Sequence, residues 1–164
     1  MILQTAKPIL IFTWGNPSRG DDALGPAMYD LLLAQVPHDV EVLTDFQLQI
    51  EHAIDLEGRE RVLFVDASTS ACAPFEIHPL EPGRDTSYTT HAMSPASLLS
   101  VFEQVNGRRP PPAWMLSIRG YEFGLGLPMS LQADANLKHA FMHIMALLKR
   151  DRPVQWPARI CNDD

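Results

Sequence analysis

The sequence predicts an α/β fold: a three-layer sandwich in which a twisted, mostly parallel sheet of about five strands is flanked by helices on both faces. Short apolar runs rich in β-branched and aromatic residues alternate with segments of helical period, the pattern of strands covered by helices. The first run, Ile9-Leu10-Ile11-Phe12-Thr13-Trp14, is almost unbroken in its apolar character and ends at Gly15, as expected of a central strand buried on both faces. At 164 residues the chain is long enough for one substantial core and too short for two typical domains. Residues 1–150 are therefore read as one domain and 151–164 as a flexible C-terminal tail.

Each element follows from local signals. After the loop Asn16–Asp22, residues Leu24, Ala27, Met28, Leu31 and Leu32 recur at three- and four-residue steps and define one helical face, with Pro26 suited to the first turn. A second strand is expected over Val40–Thr44, a short helix over Ile50–Leu56, and a third strand over Val62–Val65 that closes on Asp66. Phe75–Leu80 reads as a fourth strand. Ser94-Pro95 is an N-cap and N1 pair opening a helix through Val105, which Gly107 ends. A fifth strand over Trp114–Ile118 leads through the glycine-rich segment Gly120–Gly126 to a last helix from about Pro128 to Lys149. Arg108-Arg109-Pro110-Pro111-Pro112 is too short to link domains and reads as a stiff turn.

Composition removes several classes of function. The formal net charge of -7, with no local Lys/Arg cluster to offset it, disfavours nucleic acid and anionic membrane surfaces. No run reaches the roughly 20 apolar residues that span a bilayer, and no export signal is recognisable at the N-terminus. Cys72 and Cys161 are far apart and outside any C-x-x-C pattern, which argues against a disulfide framework, a zinc ribbon or a dithiol redox site and favours the reducing cytoplasm.

In an open α/β sheet the loops after the strands' carboxyl ends converge on one edge, so chemistry is sought there. Asp22 follows the first strand, Asp66 ends the third, and His91 lies in the loop before the helix at Pro95. Two carboxylates and an imidazole form an oxygen and nitrogen ligand set that suits Ni²⁺ or Zn²⁺ with positions left open. The same trio also suits acid and base work around a scissile amide. Both chemistries stay open at this point. Against them, Asp21 and Asp22 equally suit capping of the helix they precede, and His91 taken alone is a loop histidine. Asp66 resists a bland reading, because a charge at the mouth of a buried strand is costly to hold without a partner.

Two other features carry less. The loop Gly15–Gly20 resembles a phosphate-binding turn but lacks the G-x-G-x-x-G spacing and a P-loop lysine, and the aspartates after it repel phosphate. His139 and His143 are one helical turn apart without the glutamate of an H-E-x-x-H pattern. They fall opposite the apolar face formed by Leu137, Ala140, Phe141, Ile144 and Leu148, so a solvated face is expected for them.

Taken together, Gly15-Asn16-Pro17-Ser18-Arg19-Gly20-Asp21-Asp22-Ala23-Leu24-Gly25, Phe64-Val65-Asp66-Ala67 and His91-Ala92-Met93-Ser94-Pro95 resemble, in order and spacing, the hydrogenase maturation endopeptidases. The likeness covers roughly residues 9 to 149. It implies a protease, aspartic-type or metal-assisted, that removes a C-terminal extension from the large subunit precursor of a nickel-iron hydrogenase once nickel is inserted. Carried over to this chain, it implies Asp22, Asp66 and His91 as metal contacts, with Asp22 and Asp66 also catalytic. The nickel would come from the substrate, with zinc or cadmium as surrogates, and the chain would act as a cytoplasmic monomer. Two departures concern Asp22, where some relatives carry Glu, and Asp45-Phe46-Gln47-Leu48-Gln49, where others have a glycine-rich turn. The rival readings are a non-catalytic nickel-sensing chaperone of hydrogenase assembly, using the same ligands, and a small phosphate-binding hydrolase built on the first loop.

Overall fold

The computed structural model describes residues 5–83, 93–149 and 155–161. Five strands, β1 (Ile9–Trp14), β2 (Val40–Asp45), β3 (Arg61–Ser68), β4 (Phe75–Leu80) and β5 (Ala113–Arg119), form one sheet in the order β2-β1-β3-β5-β4. All neighbours are parallel except β4, which runs antiparallel to β5 at the edge. Among the described residues three α-helices, α1 (Leu24–Leu33), α2 (Pro95–Asn106) and α3 (Leu131–Leu147), and two short 3₁₀ segments at Gly20–Ala23 and Ile50–Leu56 cover the sheet.

The nearly unbroken apolar run of β1 is explained by cover on both sides. Ile9 and Ile11 point into a core that holds Met28 and Leu32 of α1 and Leu137, Ala140 and Ile144 of α3. Leu10 and Phe12 point the other way, into a core with Leu56 and with Leu98, Leu99 and Phe102 of α2. The same division separates Leu63 and Val65 from Val62 and Phe64 in β3. Burying one such side chain stabilises the fold by about 1.5–3 kcal/mol. These two layers position β1 and β3 side by side at the centre of the sheet.

Helix boundaries follow their caps. The Ser94 hydroxyl accepts the Ser97 N–H at 3.1 Å, Pro95 occupies the first turn, and Gly107 closes α2 at φ 64°. The last helix begins later than its apolar period suggests, because the Ser130 hydroxyl caps it by accepting the Ala133 N–H at 3.2 Å. The third strand in turn runs past Asp66, whose partner is Ser117, because β5 continues to pair with it as far as Ser68. Asp66 is thus held within a strand rather than after one.

The C-terminal end of the chain departs from expectation. Residues 155–161 pack on the sheet edge instead of trailing free. Trp156 is 3% exposed, its ring 4.9 Å from that of Trp114, and Arg159 forms a two-way backbone bridge with Ile77 of β4. Cys72 and Cys161 are disulfide-bonded across 89 residues, which corrects the reading of two unrelated cysteines. Sequence separation hid their proximity, which depends on the chain end returning along β4. Among the described residues no helix is long and apolar enough to cross a membrane.

Candidate functional site

The chain leaves β1 for β2 on one side, then crosses to β3 on the other, so the strand order reverses between β1 and β3. A crevice forms outside the carboxyl ends of the strands at such a switch point. Asp22 and Asp66 both belong to this edge.

The β1-to-α1 turn is built for close approach. Gly15 adopts φ 148°, and a Cβ there would overlap the Asp22 carbonyl oxygen; a Cβ at Gly25 would overlap the Trp14 carbonyl. Both contacts draw the Asp22 segment onto the end of β1. The Asp22 carboxylate, half-buried, accepts the Asn16 N–H at 2.7 Å. It does not cap the helix, for neither the 3₁₀ turn nor α1 receives a side-chain cap.

Asp66 accepts its neighbour Ala67's N–H at 2.8 Å and a hydrogen bond from the Trp14 side chain. Burial pushes its carboxyl up, the nearby charge of Asp22 pushes it further, and the two hydrogen bonds only partly oppose this. The result is a carboxyl raised to about 7. Two carboxylates close enough to repel, one of which holds a proton near neutrality, can exchange a proton with a reacting group. They can equally relieve their repulsion by sharing a cation.

Asp21 has a different role from its neighbour. It is 0% exposed and accepts the N–H groups of Tyr121 at 2.7 Å, Glu122 at 3.0 Å and Ser130 at 2.7 Å, and the Ser130 hydroxyl at 2.8 Å. Burial raises its carboxyl, but these hydrogen bonds outweigh it and hold the group below the usual carboxylate range. Backbone bonds from Gly20 to Leu127 at 3.0 Å and from Gly126 to Ser18 at 2.7 Å complete the lacing. The capping role read for Asp21 from its position is replaced by a tether. It ties the loop between β5 and α3 to the loop that carries Asp22.

A pair that sequence reasoning missed lies at the end of β2. Asp45 pairs with Trp14 in register, and its carboxylate is 3.2 Å from the Nε2 of His52. The His52 Nδ1 accepts the Gln49 N–H at 2.8 Å, which leaves Nε2 as the donor to Asp45, and the ring lies 4.5 Å from that of Phe12. The segment Asp45–Gln49 is thereby a fixed wall beside the first loop. The signal was present as a capping box, Gln49 with His52 three residues on.

His91 lies outside the described residues, so its position relative to Asp22 and Asp66 is not part of this geometry. His139 is exposed as expected, whereas His143 is half-buried with its ring 5.0 Å from Phe75, and burial lowers its basicity. The helical period alone placed it on the solvent face; the edge strand β4 and the returning C-terminus cover that side.

No family model and no curated protein matches the chain. Several solved structures share its fold. The hydrogenase maturating endopeptidase HybD from E. coli superimposes with a TM-score of 0.67 at 22% identity, covering 85% of this chain and 91% of that one. The NiFe hydrogenase maturation protease HycI from Thermococcus kodakarensis KOD1 gives 0.69 at 22% identity, covering 88% and 94%. An endopeptidase from Escherichia coli gives 0.68 at 20% identity, covering 85% and 91%. At these identities the likeness establishes a common fold over nearly the full length of both chains.

Proposed function

We propose that this chain, which has the fold of the hydrogenase maturation endopeptidases, is itself an endopeptidase of that kind. It removes the C-terminal extension of a nickel-loaded nickel-iron hydrogenase large subunit precursor and uses the substrate's nickel as its recognition signal. The observation that carries the reading is the Asp22 and Asp66 pair at the β1/β3 switch point, with Asp66 raised to about 7. In this reading Asp22, Asp66 and His91 complete the coordination of nickel that arrives with the precursor.

The physical logic is a check on loading. Without a cation, two carboxylates at this edge oppose one another, and a precursor lacking nickel gains nothing by approaching them. With nickel present, the repulsion becomes attraction and the scissile segment is held beside Asp66. Asp66, proton-bearing near neutrality in the metal-free chain, would release that proton as nickel arrives, and its carboxylate could then take a proton from the attacking water. Substrate nickel within this set can also polarise the amide carbonyl. The wall formed by Asp45–Gln49 and the laced loop Gly120–Ser130 flank the approach.

The test is the intact mass of a large subunit precursor from the same organism, purified with and without nickel and incubated with this protein. Loss of a C-terminal peptide from the nickel-loaded form alone is the expected result. Stable binding with unchanged mass would replace the protease by a nickel-sensing chaperone. An equal rate with every metal would sink Lewis-acid polarisation while leaving recognition in place.

A further inference from the structure

We propose that, with its disulfide reduced, the chain binds a thiophilic divalent cation such as Zn²⁺ through Cys72, Cys161 and Glu76. The ligand atoms of these three side chains all lie within 4.8 Å of one another. Cys72 and Glu76 lie four residues apart where the chain enters β4, and Cys161 ends the returning C-terminal segment, so two distant pieces of chain converge on one point. Glu76 already faces the cysteines, accepting the Cys72 N–H at 3.3 Å through one carboxylate oxygen. Among the described residues that carboxylate forms no ion pair with lysine, arginine or histidine.

The cluster does not depend on the disulfide for its assembly. The strap that delivers Cys161 is held by the buried Trp156 against Trp114 and by the backbone bridge of Arg159 with Ile77, at 2.9 and 2.8 Å. The Arg159 guanidinium adds a bond to the Phe75 carbonyl at 2.7 Å and lies 4.4 Å from the Phe75 ring. With the disulfide open, these contacts keep Cys161 beside Cys72 and Glu76 while the two sulfurs part to the separation a shared cation needs. Two soft thiolates with one carboxylate form a mixed sulfur and oxygen set that Zn²⁺ accepts, and three protein ligands leave a tetrahedral position open to water. Half-buried Cys72 and Glu76 beside exposed Cys161 give the ion an entry path.

The chemistry balances in two steps. A dithiol reductant exchanges with the disulfide, giving two protein thiols and a cyclic disulfide of the reductant. The cation then displaces both thiol protons and takes the two sulfurs as thiolates. The oxidised chain, with its sulfurs joined, offers the ion only Glu76. Metal loading and disulfide formation are thus alternative states of one site, and it shares no residue with Asp22 and Asp66.

The full chain, reduced with a dithiol and freed of reductant without air, is titrated with Co²⁺ as a spectroscopic probe. A thiolate-to-cobalt charge-transfer band that saturates at one ion per chain and is bleached by Zn²⁺ is expected. The same preparation left oxidised gives no band, and this control needs no variant to fold. Cys161→Ser abolishes the band, and Glu76→Gln weakens cobalt affinity by about tenfold or more. Cation binding by Asp22 and Asp66 cannot mimic the result, since oxygen ligands give no such band. Absence of the band from the reduced chain, or its persistence in the oxidised chain or in Cys161→Ser, overturns the proposal.

Discussion

Asp21 accepts both the backbone N–H and the hydroxyl of Ser130, at 2.7 and 2.8 Å, from 109 residues away in the chain. One carboxylate thereby holds in place the serine that caps α3, orders the loop after β5 and fixes the segment next to Asp22.

Asp21→Ala leaves four donors without this acceptor in a site that is 0% exposed. A loss of about 3 kcal/mol or more in folding stability is expected, visible as a lower urea midpoint. The pH dependence has a definite sign. Because the folded group is held below its ordinary value of 3.8, its stabilisation is present above that value and lost as pH falls through the depressed one. The gap between wild type and Asp21→Asn therefore narrows in strong acid.

Asp66 behaves in the opposite sense. Its folded carboxyl is raised from 3.8 to about 7, so the folded state binds more protons than the unfolded state between those values. Stability then falls as pH rises from about 4 to 7 and is flat beyond. Asp66→Asn keeps an acceptor for Ala67 and removes the titration. Its urea midpoint is expected to exceed the wild type's at pH 8, by roughly 1–3 kcal/mol in free energy, while precursor processing is lost.

Asp22→Asn separates the two causes that raise Asp66. Burial, the larger, is unchanged, and the neighbouring charge is gone. A carboxyl-carbon NMR titration should place Asp66 lower than in the wild type yet still above 3.8. Asp22→Ala and His91→Ala are each expected to give folded proteins, by far-ultraviolet circular dichroism, that fail to trim the precursor. Loss of folding in both would mark them as structural residues instead.

Trp156→Ala tests whether the C-terminal segment is part of the fold. The side chain is 3% exposed against Trp114 and beneath it lies the Arg61 guanidinium, 5.5 Å from its ring centroid. Removing it should cost about 3–5 kcal/mol, read as a clear drop in melting temperature. A truncation before residue 155 should match it, whereas a free tail would leave the midpoint unchanged.

Much of the architecture was written locally. The runs Ile9–Trp14 and Phe75–Leu80 match their strands to the residue, because continuous or alternating apolarity is set by which faces are covered. Ser94, Pro95 and Gly107 marked α2 for the same reason: caps act within one turn. The position of Asp22 after the first strand and of Asp66 in the third was equally readable, since parallel strands send their carboxyl ends to one edge.

Adjacent Asp21 and Asp22 show what sequence alone left undecided. Identical side chains one residue apart take up unlike roles, because one meets donors near residues 121–130 and the other faces Asp66. Likewise His143 follows the helical period toward solvent yet is covered by neighbours from other elements, and Cys72 meets Cys161 only because the chain returns along β4. Local pattern determined the strands, most helix boundaries and the edge that Asp22 and Asp66 share. Tertiary structure decided which polar groups meet there, because proton affinity and pairing depend on partners a hundred residues away that no local window contains.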